Sequence, residues 1–181
     1  DQNVTREFQV LGDPRRDVSS KDLEQKQVLL QTLYAESAWL AKTVRSLRQA
    51  RCEVATLAKS MRASEPTEVA TARSALTQKI NTWLESAVEE KDEHFVDAQH
   101  SPSRLDFSMF EALNFVDASD PPLTQGLEHR VSDVRARWAA HRAEYEDLIN
   151  GELGRYNEAT SKQSTPAILI AESVQSEELV Q

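Results

Sequence analysis

The sequence predicts an all-α fold: an antiparallel bundle of three long helices plus one short helix, with a short extended N-terminal segment and a mobile tail. Three observations predict it. The 181 residues contain only four glycines, whereas an all-β fold of this size needs many more turn residues. Apolar residues recur three, four or seven positions apart over long stretches, the signature of a helix with one buried face. The apolar fraction is 39% and the charged fraction 28%, a mix typical of long amphipathic helices with one buried stripe each.

Residues 1–16 read as extended. Phe8 and Val10 alternate with polar neighbours, and Gly12-Asp13-Pro14 then breaks the chain. An isolated strand has no partner in this sequence, so the segment is a candidate last strand of an upstream domain. Ser19 or Ser20 can cap the first long helix, with Asp22 and Glu24 at its positive end. This helix runs to about Arg62 with Leu30, Leu33, Leu40, Val44, Leu47, Val54, Leu57 and Met61 as its stripe. At ~1.5 Å per residue it is roughly 60 Å long, and a helix of that length needs partners along its whole course.

Ser64-Glu65-Pro66-Thr67 ends the first helix, and Thr67 is the expected cap of a second over about 68–96, with Val69, Leu76, Ile80, Trp83, Ala87 and Phe95 facing inward. A loop at 100–103 leads to a short helix over about 105–117, with Leu105, Met109, Phe110, Leu113 and Val116 apolar. Pro121-Pro122 prepares the last long helix, since proline fits a first helical turn. That helix extends from about Leu123 to Ala159. Leu127, Val131, Val134, Trp138, His141, Tyr145 and Leu148 hold a heptad, extended by Leu153 and Tyr156, while Gly151 and Gly154 weaken its last turns. The apolar segment 166–170 is expected to dock on the bundle or to pair with the N-terminal strand. The bundle domain is thus 17–171, and 172–181 is a mobile tail.

The formal net charge is −9, so nucleic acid is not an expected partner. No apolar run approaches the ~18 residues that span a membrane, and no signal peptide is visible. The sequence starts at Asp1 without methionine, which suits a processed or excised fragment. The lone Cys52 excludes an intramolecular disulfide and reads as a packed helical residue.

Charge is segregated. Residues 85–120 carry ten acids and two bases, a net −8 out of −9. Lys42, Arg45, Arg48 and Arg51 supply the opposite sign on the first helix, at a spacing expected to align them on one face. These four bases, with Glu89, Glu90, Asp92 and Glu93, are the candidate docking residues for a protein partner. The alternative is that the two charged faces pair with each other or are simply solvated. Glu90 and His94 share a helix face, but no Glu-x-x-His pair and no HExxH occurs, so no metal or cofactor is expected. No nucleophile has a credible base and orienting group, so no catalytic residue is assigned and the chain is read as a non-enzyme. His141, on the heptad stripe, reads as a partly buried structural histidine. Trp83 and Trp138 read as core, with Trp39 beside its stripe.

The order of features resembles the C-terminal region of large bacterial BNR-repeat, sortilin-like β-propeller proteins, which are glycosyl-hydrolase-like. Phe8-Gln9-Val10, Asp13-Pro14-Arg15 and Ser19-Ser20-Lys21-Asp22-Leu23 look like that family's Phe-x-Val strand end, Asp-Pro-Arg and Ser-x-x-Asp-Leu helix start. Leu47-Arg48-Gln49-Ala50-Arg51 looks like its Leu-Arg-x-Ala-Arg stretch. The run Asp117-Ala118-Ser119-Asp120-Pro121-Pro122-Leu123-Thr124 is similar to its inter-helix linker, with departures. Trp138, Asn150, Leu153 and Pro166-Ala167-Ile168 resemble the closing helix and end. The resemblance implies an upstream propeller and strand domain, an exported location (periplasmic or extracellular), and any hydrolytic site in the propeller rather than here. The expected function is a non-catalytic structural or protein-interaction module of a larger exported protein or assembly, bound to a protein partner or its own upstream domains. The alternative is an accessory C-terminal domain of a β-propeller hydrolase.

Overall fold

The computed structural model describes residues 5–8, 15, 18–61, 65–89, 103–163 and 167–170. The fold is all-α. Helix α1 spans Ser20–Met61, α2 Thr67–Ala87, α3 Leu105–Ala118, α4 Gln125–Leu148 and α5 Gly154–Ser161, with a π-helical turn at Ile149–Leu153 joining the last two. Thr5–Phe8 have no regular structure and are exposed, and the rest of the proposed strand and breaker falls outside the described residues, as does the tail 172–181.

Helix α1 begins with a reciprocal cap. Ser19 Oγ accepts from the Asp22 N–H at 3.1 Å, while the Asp22 carboxylate accepts from the Ser19 N–H at 3.2 Å and hydroxyl at 2.6 Å. Leu30, Leu33, Leu40, Val44, Leu47 and Val54 are buried as their spacing predicts, with Leu57 and Met61 packed at the margin. Cys52 is exposed rather than packed, because its place on the helix turns it away from that stripe.

Three rods make the bundle, and the long-range bonds fix their directions. Arg51 Nη1 donates to Asn81 Oδ1 at 3.0 Å, pairing the second halves of α1 and α2 in an antiparallel hairpin. Lys26 Nζ donates to the carbonyls of Asp117 (2.7 Å) and Ser119 (2.9 Å), setting the end of α3 beside the start of α1. Helices α2 and α3 therefore run the same way, in tandem, and together line the length of α1. The third rod returns alongside them: Arg137 reaches Ser108 Oγ and the Ser103 carbonyl near the start of α3, and Lys162 reaches Glu68 at the start of α2. The short helix completes the second rod.

Helix α2 stops at Ala87 rather than near 96, because Val88 is extended (φ −136°, ψ 152°) and caps back onto the Leu84 carbonyl. No base occupies its last turn, and the acids that follow would stack like charges on the negative end of the helix dipole. Phe95 lies outside the described residues. At its other end Pro66, not Thr67, is the N-cap, with its carbonyl accepting from the Ala70 N–H at 3.0 Å. Thr67 is the first helical residue. Arg73 forks onto Glu65 (Nε–Oε1 2.8 Å, Nη2–Oε2 3.0 Å) and ties the connection to α2.

Thr124 caps α4, its hydroxyl accepting from the Leu127 N–H at 3.4 Å. Val131, Val134, Tyr145 and Leu148 are buried, and Trp138 and His141 are half-buried. From Leu148 the next buried positions are Leu153, Tyr156 and Ala159. That is one residue out of step with the heptad, and the π turn absorbs the extra residue, since a π turn is a local insertion into an α-helix. Without it, Leu153 and Tyr156 would be rotated by about 100° away from the core.

Where the rods meet, Trp83 is 2% exposed and donates its Nε1–H to the His141 carbonyl at 2.9 Å. His141 Nδ1 lies 2.9 Å from the Arg137 carbonyl and must be the protonated nitrogen, because a carbonyl only accepts. Trp39 is half-buried and meets Trp138 and Tyr145 edge-on, with ring centroids 5.8 and 5.5 Å away. Ile168 docks in the core while Leu169 beside it points outward, so segment 167–170 packs on the bundle.

Candidate partner-docking surface

The four bases of α1 do not form one face. Each three-residue step turns about 60° back around the helix, so Lys42 and Arg51 lie roughly half a turn apart. Arg45 and Arg48 are exposed, Lys42 is half-buried, and Arg51 is drawn into the seam with α2 by Asn81. Of the acidic candidates, Glu89 is described. It is exposed, and its Oε2 stands 3.7 Å from Arg104 Nε. Chain thus leaves α2 and re-enters at α3 at nearly the same point. Glu90, Asp92 and Glu93, with His94, lie outside the described residues.

A different surface emerges on α3. Its buried side carries Leu105, Ser108, Met109, Ala112 and Val116. That side is fastened by Lys26 from α1 and by Arg130 and Arg137 from α4. Arg130 pairs with Glu111 (2.8 Å) and lies over the Phe115 ring at 5.1 Å. The opposite side presents Phe107, 50% exposed, and Phe110, 62% exposed. Phe110 is one of the apolar residues of this helix, but a helix of this length buries only one stripe, and Leu105 and Met109 take it. Counting about eight residues along each antiparallel helix from the Lys26 contact brings Tyr34, itself 56% exposed, level with Phe110.

Acids border this side: Asp106, half-buried, and the exposed Asp117 and Asp120. Burial pushes the Asp106 carboxyl above the usual carboxylate range, opposed by the Phe107 N–H it accepts at 2.7 Å and reinforced by the nearby charge of Glu89. The face is therefore apolar at its centre and acidic at its rim.

Elsewhere, an open depression of about 430 Å³ runs along α2 between Arg73 and Glu85, lined by that helix alone. Among the described residues no group of three or more His, Cys, Asp or Glu is placed to hold a metal ion, and no helix is long and apolar enough to cross a membrane. No family model, curated protein or solved structure matches the chain.

Spacing alone hid the α3 face. The signal available was the crowding of Phe107, Phe110 and Phe115 into one short helix, more aromatic residues than one buried stripe can hold.

Proposed function

We propose that this chain is a non-catalytic protein-interaction module whose docking surface is the outward side of α3. One observation carries the reading: all four described phenylalanines, Phe8, Phe107, Phe110 and Phe115, are among the exposed large hydrophobics. Phenylalanine is among the residues most often buried, and clustered exposed aromatics mark interaction sites. Arg130 already covers part of Phe115, which leaves Phe107 and Phe110 as the uncommitted pair. The acidic rim of Asp106 and Asp117 selects an amphipathic partner helix with an apolar stripe and Lys or Arg on its margins.

Photo-crosslinking in the native source tests this. A benzophenone amino acid at position 107 or 110 should give one defined protein adduct, and the same probe at the exposed Ala139 on α4 should not. Equal labelling at all three positions would remove the proposal. A second reading keeps the face but makes its occupant another domain of the same polypeptide, as the β-propeller resemblance implies. The 86% exposure of Phe8 favours it. An adduct within one chain rather than between two supports that version.

A further inference from the structure

Four buried polar atoms along one seam of the bundle have no hydrogen-bond partner among the described residues: Glu36 Oε2, Trp39 Nε1 and Thr43 Oγ1 on α1, and Trp138 Nε1 on α4. The three on α1 are spaced three and four residues apart, so they share the side of the helix that faces α4. The two helices run parallel there, since Glu36 meets Arg135 and Trp39 meets Trp138 at one constant sequence offset, 99 residues. That register sets Thr43 level with Arg142, whose guanidinium lies over the Trp138 ring at 5.6 Å. The orphaned atoms therefore form one row, about 10 Å long from Glu36 to Thr43. The backbones of α1 and α4 make almost no close approach, and side chains span the gap between them.

From this row we infer an internal hydration site, separate from the α3 face: a file of ordered water molecules held between α1 and α4. The donor and acceptor set selects the ligand. The two indole N–H groups only donate, the free carboxylate oxygen of Glu36 only accepts, and the Thr43 hydroxyl does both. An anion would lie against the Glu36 carboxylate. A cation would meet the two indole N–H groups and the guanidinium groups of Arg135 and Arg142. A larger neutral molecule does not fit between indole rings whose centroids are 5.8 Å apart. Water donates and accepts equally, and internal waters make about three such bonds each to buried polar groups. The file also accounts for an acid on the apolar stripe of α1. Arg135 holds Oε1, and water solvates Oε2, which bulk solvent does not reach because Glu36 is 6% exposed. Thr43, 2% exposed, closes the far end of the row.

The test uses the full 15N-labelled chain and its three tryptophan indole N–H signals. Water–protein nuclear Overhauser spectra, recorded in the laboratory and rotating frames, report long-lived water beside each N–H. Trp39 and Trp138 should show water cross-peaks with the signs of long-lived internal water. Trp83 is the built-in control: its Nε1–H is bonded to the His141 carbonyl and should show none. Glu36→Leu should lose the Trp39 cross-peak, because the anchor of the file is gone. In Thr43→Val, which lacks the hydroxyl of the row, the cross-peaks should persist. No water cross-peak at either Trp39 or Trp138, or equal cross-peaks at all three indoles, overturns the inference. So does a Trp39 cross-peak of undiminished strength in Glu36→Leu. Loss of both cross-peaks in Thr43→Val would trace them to hydroxyl exchange and overturn it too. An upfield-shifted Trp39 N–H without a water cross-peak would overturn it by assigning that donor to the face of a neighbouring ring.

Discussion

Arg135 directs both Nε and Nη2 at one oxygen of Glu36, Oε1, at 2.9 and 2.8 Å, and leaves Oε2 buried without a hydrogen-bond partner among the described residues. Glu36 sits on the buried side of α1 between Leu33 and Leu40, 6% exposed, where the stripe would otherwise be apolar. Removing one member of such a pair is worse than replacing the acid, because it strands a desolvated charge. Arg135→Ala should lower stability by about 1–3 kcal/mol, towards the low end because Arg135 is 45% exposed. Glu36→Leu should be neutral or stabilising. Urea midpoints at unchanged m-value check both, and a larger loss for Glu36→Leu would contradict the assignment.

Trp39 and Trp138 stand edge-to-face across the α1–α4 seam. A double-mutant cycle to Ala at these positions should give a coupling of about 0.5–1.5 kcal/mol. Leu40, 3% exposed, should cost about 2–5 kcal/mol on truncation to Ala. Thermal and urea unfolding read all four variants. Independent tryptophans, with zero coupling, would mean the seam is looser than its geometry.

The π turn makes two opposite predictions at one residue. A Cβ on Gly151 would meet only the mobile Arg155 guanidinium, at 3.6 Å. Gly151→Ala should therefore stabilise by up to about 1 kcal/mol through reduced chain entropy. Inserting one alanine after Gly151 puts the downstream stripe a further residue out of step and rotates Leu153 and Tyr156 by about 100° away from the core. That should cost more than about 3 kcal/mol or abolish folding, whereas deleting Gly151 leaves both in step with Leu148 in a plain α-helix. A tolerated insertion would show that the register is unimportant.

Tyr156 is fully buried with no partner for its hydroxyl among the described residues. Burial raises its pKa, with the charge of Glu65 adding to the effect and Arg73 opposing it. The unfolded chain then ionises first, so stability should fall as pH rises above the ordinary tyrosine value near 10. Tyr156→Phe should abolish that component of the alkaline loss. At neutral pH it should gain about 1 kcal/mol by removing an unpaired buried hydroxyl. Melting midpoints from neutral to alkaline pH decide it, and a destabilised variant would mean the hydroxyl has a partner such as bound water.

The bases of α1 should separate by variant. Arg45→Glu, at an exposed position, should leave stability within about 0.5 kcal/mol. Arg51→Glu breaks the bond to Asn81 and should lower stability by about 0.5–1.5 kcal/mol. An equal loss at Arg45 would mean that it too pairs within the bundle.

The sequence by itself determined whatever depends on neighbours along the chain. The reciprocal cap at Ser19 and Asp22, the stripe from Leu30 to Val54 and the heptad from Leu127 to Leu148 are consequences of helical spacing, and spacing is visible in one dimension. The end of α2 at Ala87 is not among them, since the apolar spacing carries the expected helix on to Phe95. Tertiary structure decided everything that depends on which rod stands opposite. It set α2 and α3 in tandem, because both must cover one long α1. It inserted the π turn, because the stripe from Leu153 must face the same core as that from Leu148. It put Glu36 inside, because Arg135 arrives from α4 to meet it. It put Phe107 and Phe110 outside, because α1 and α4 together occupy only one side of α3. Asn157 found its two backbone partners only when Ile168 folded back beside it. Each of these outcomes pairs residues distant in sequence, and local periodicity carries no information about such pairs.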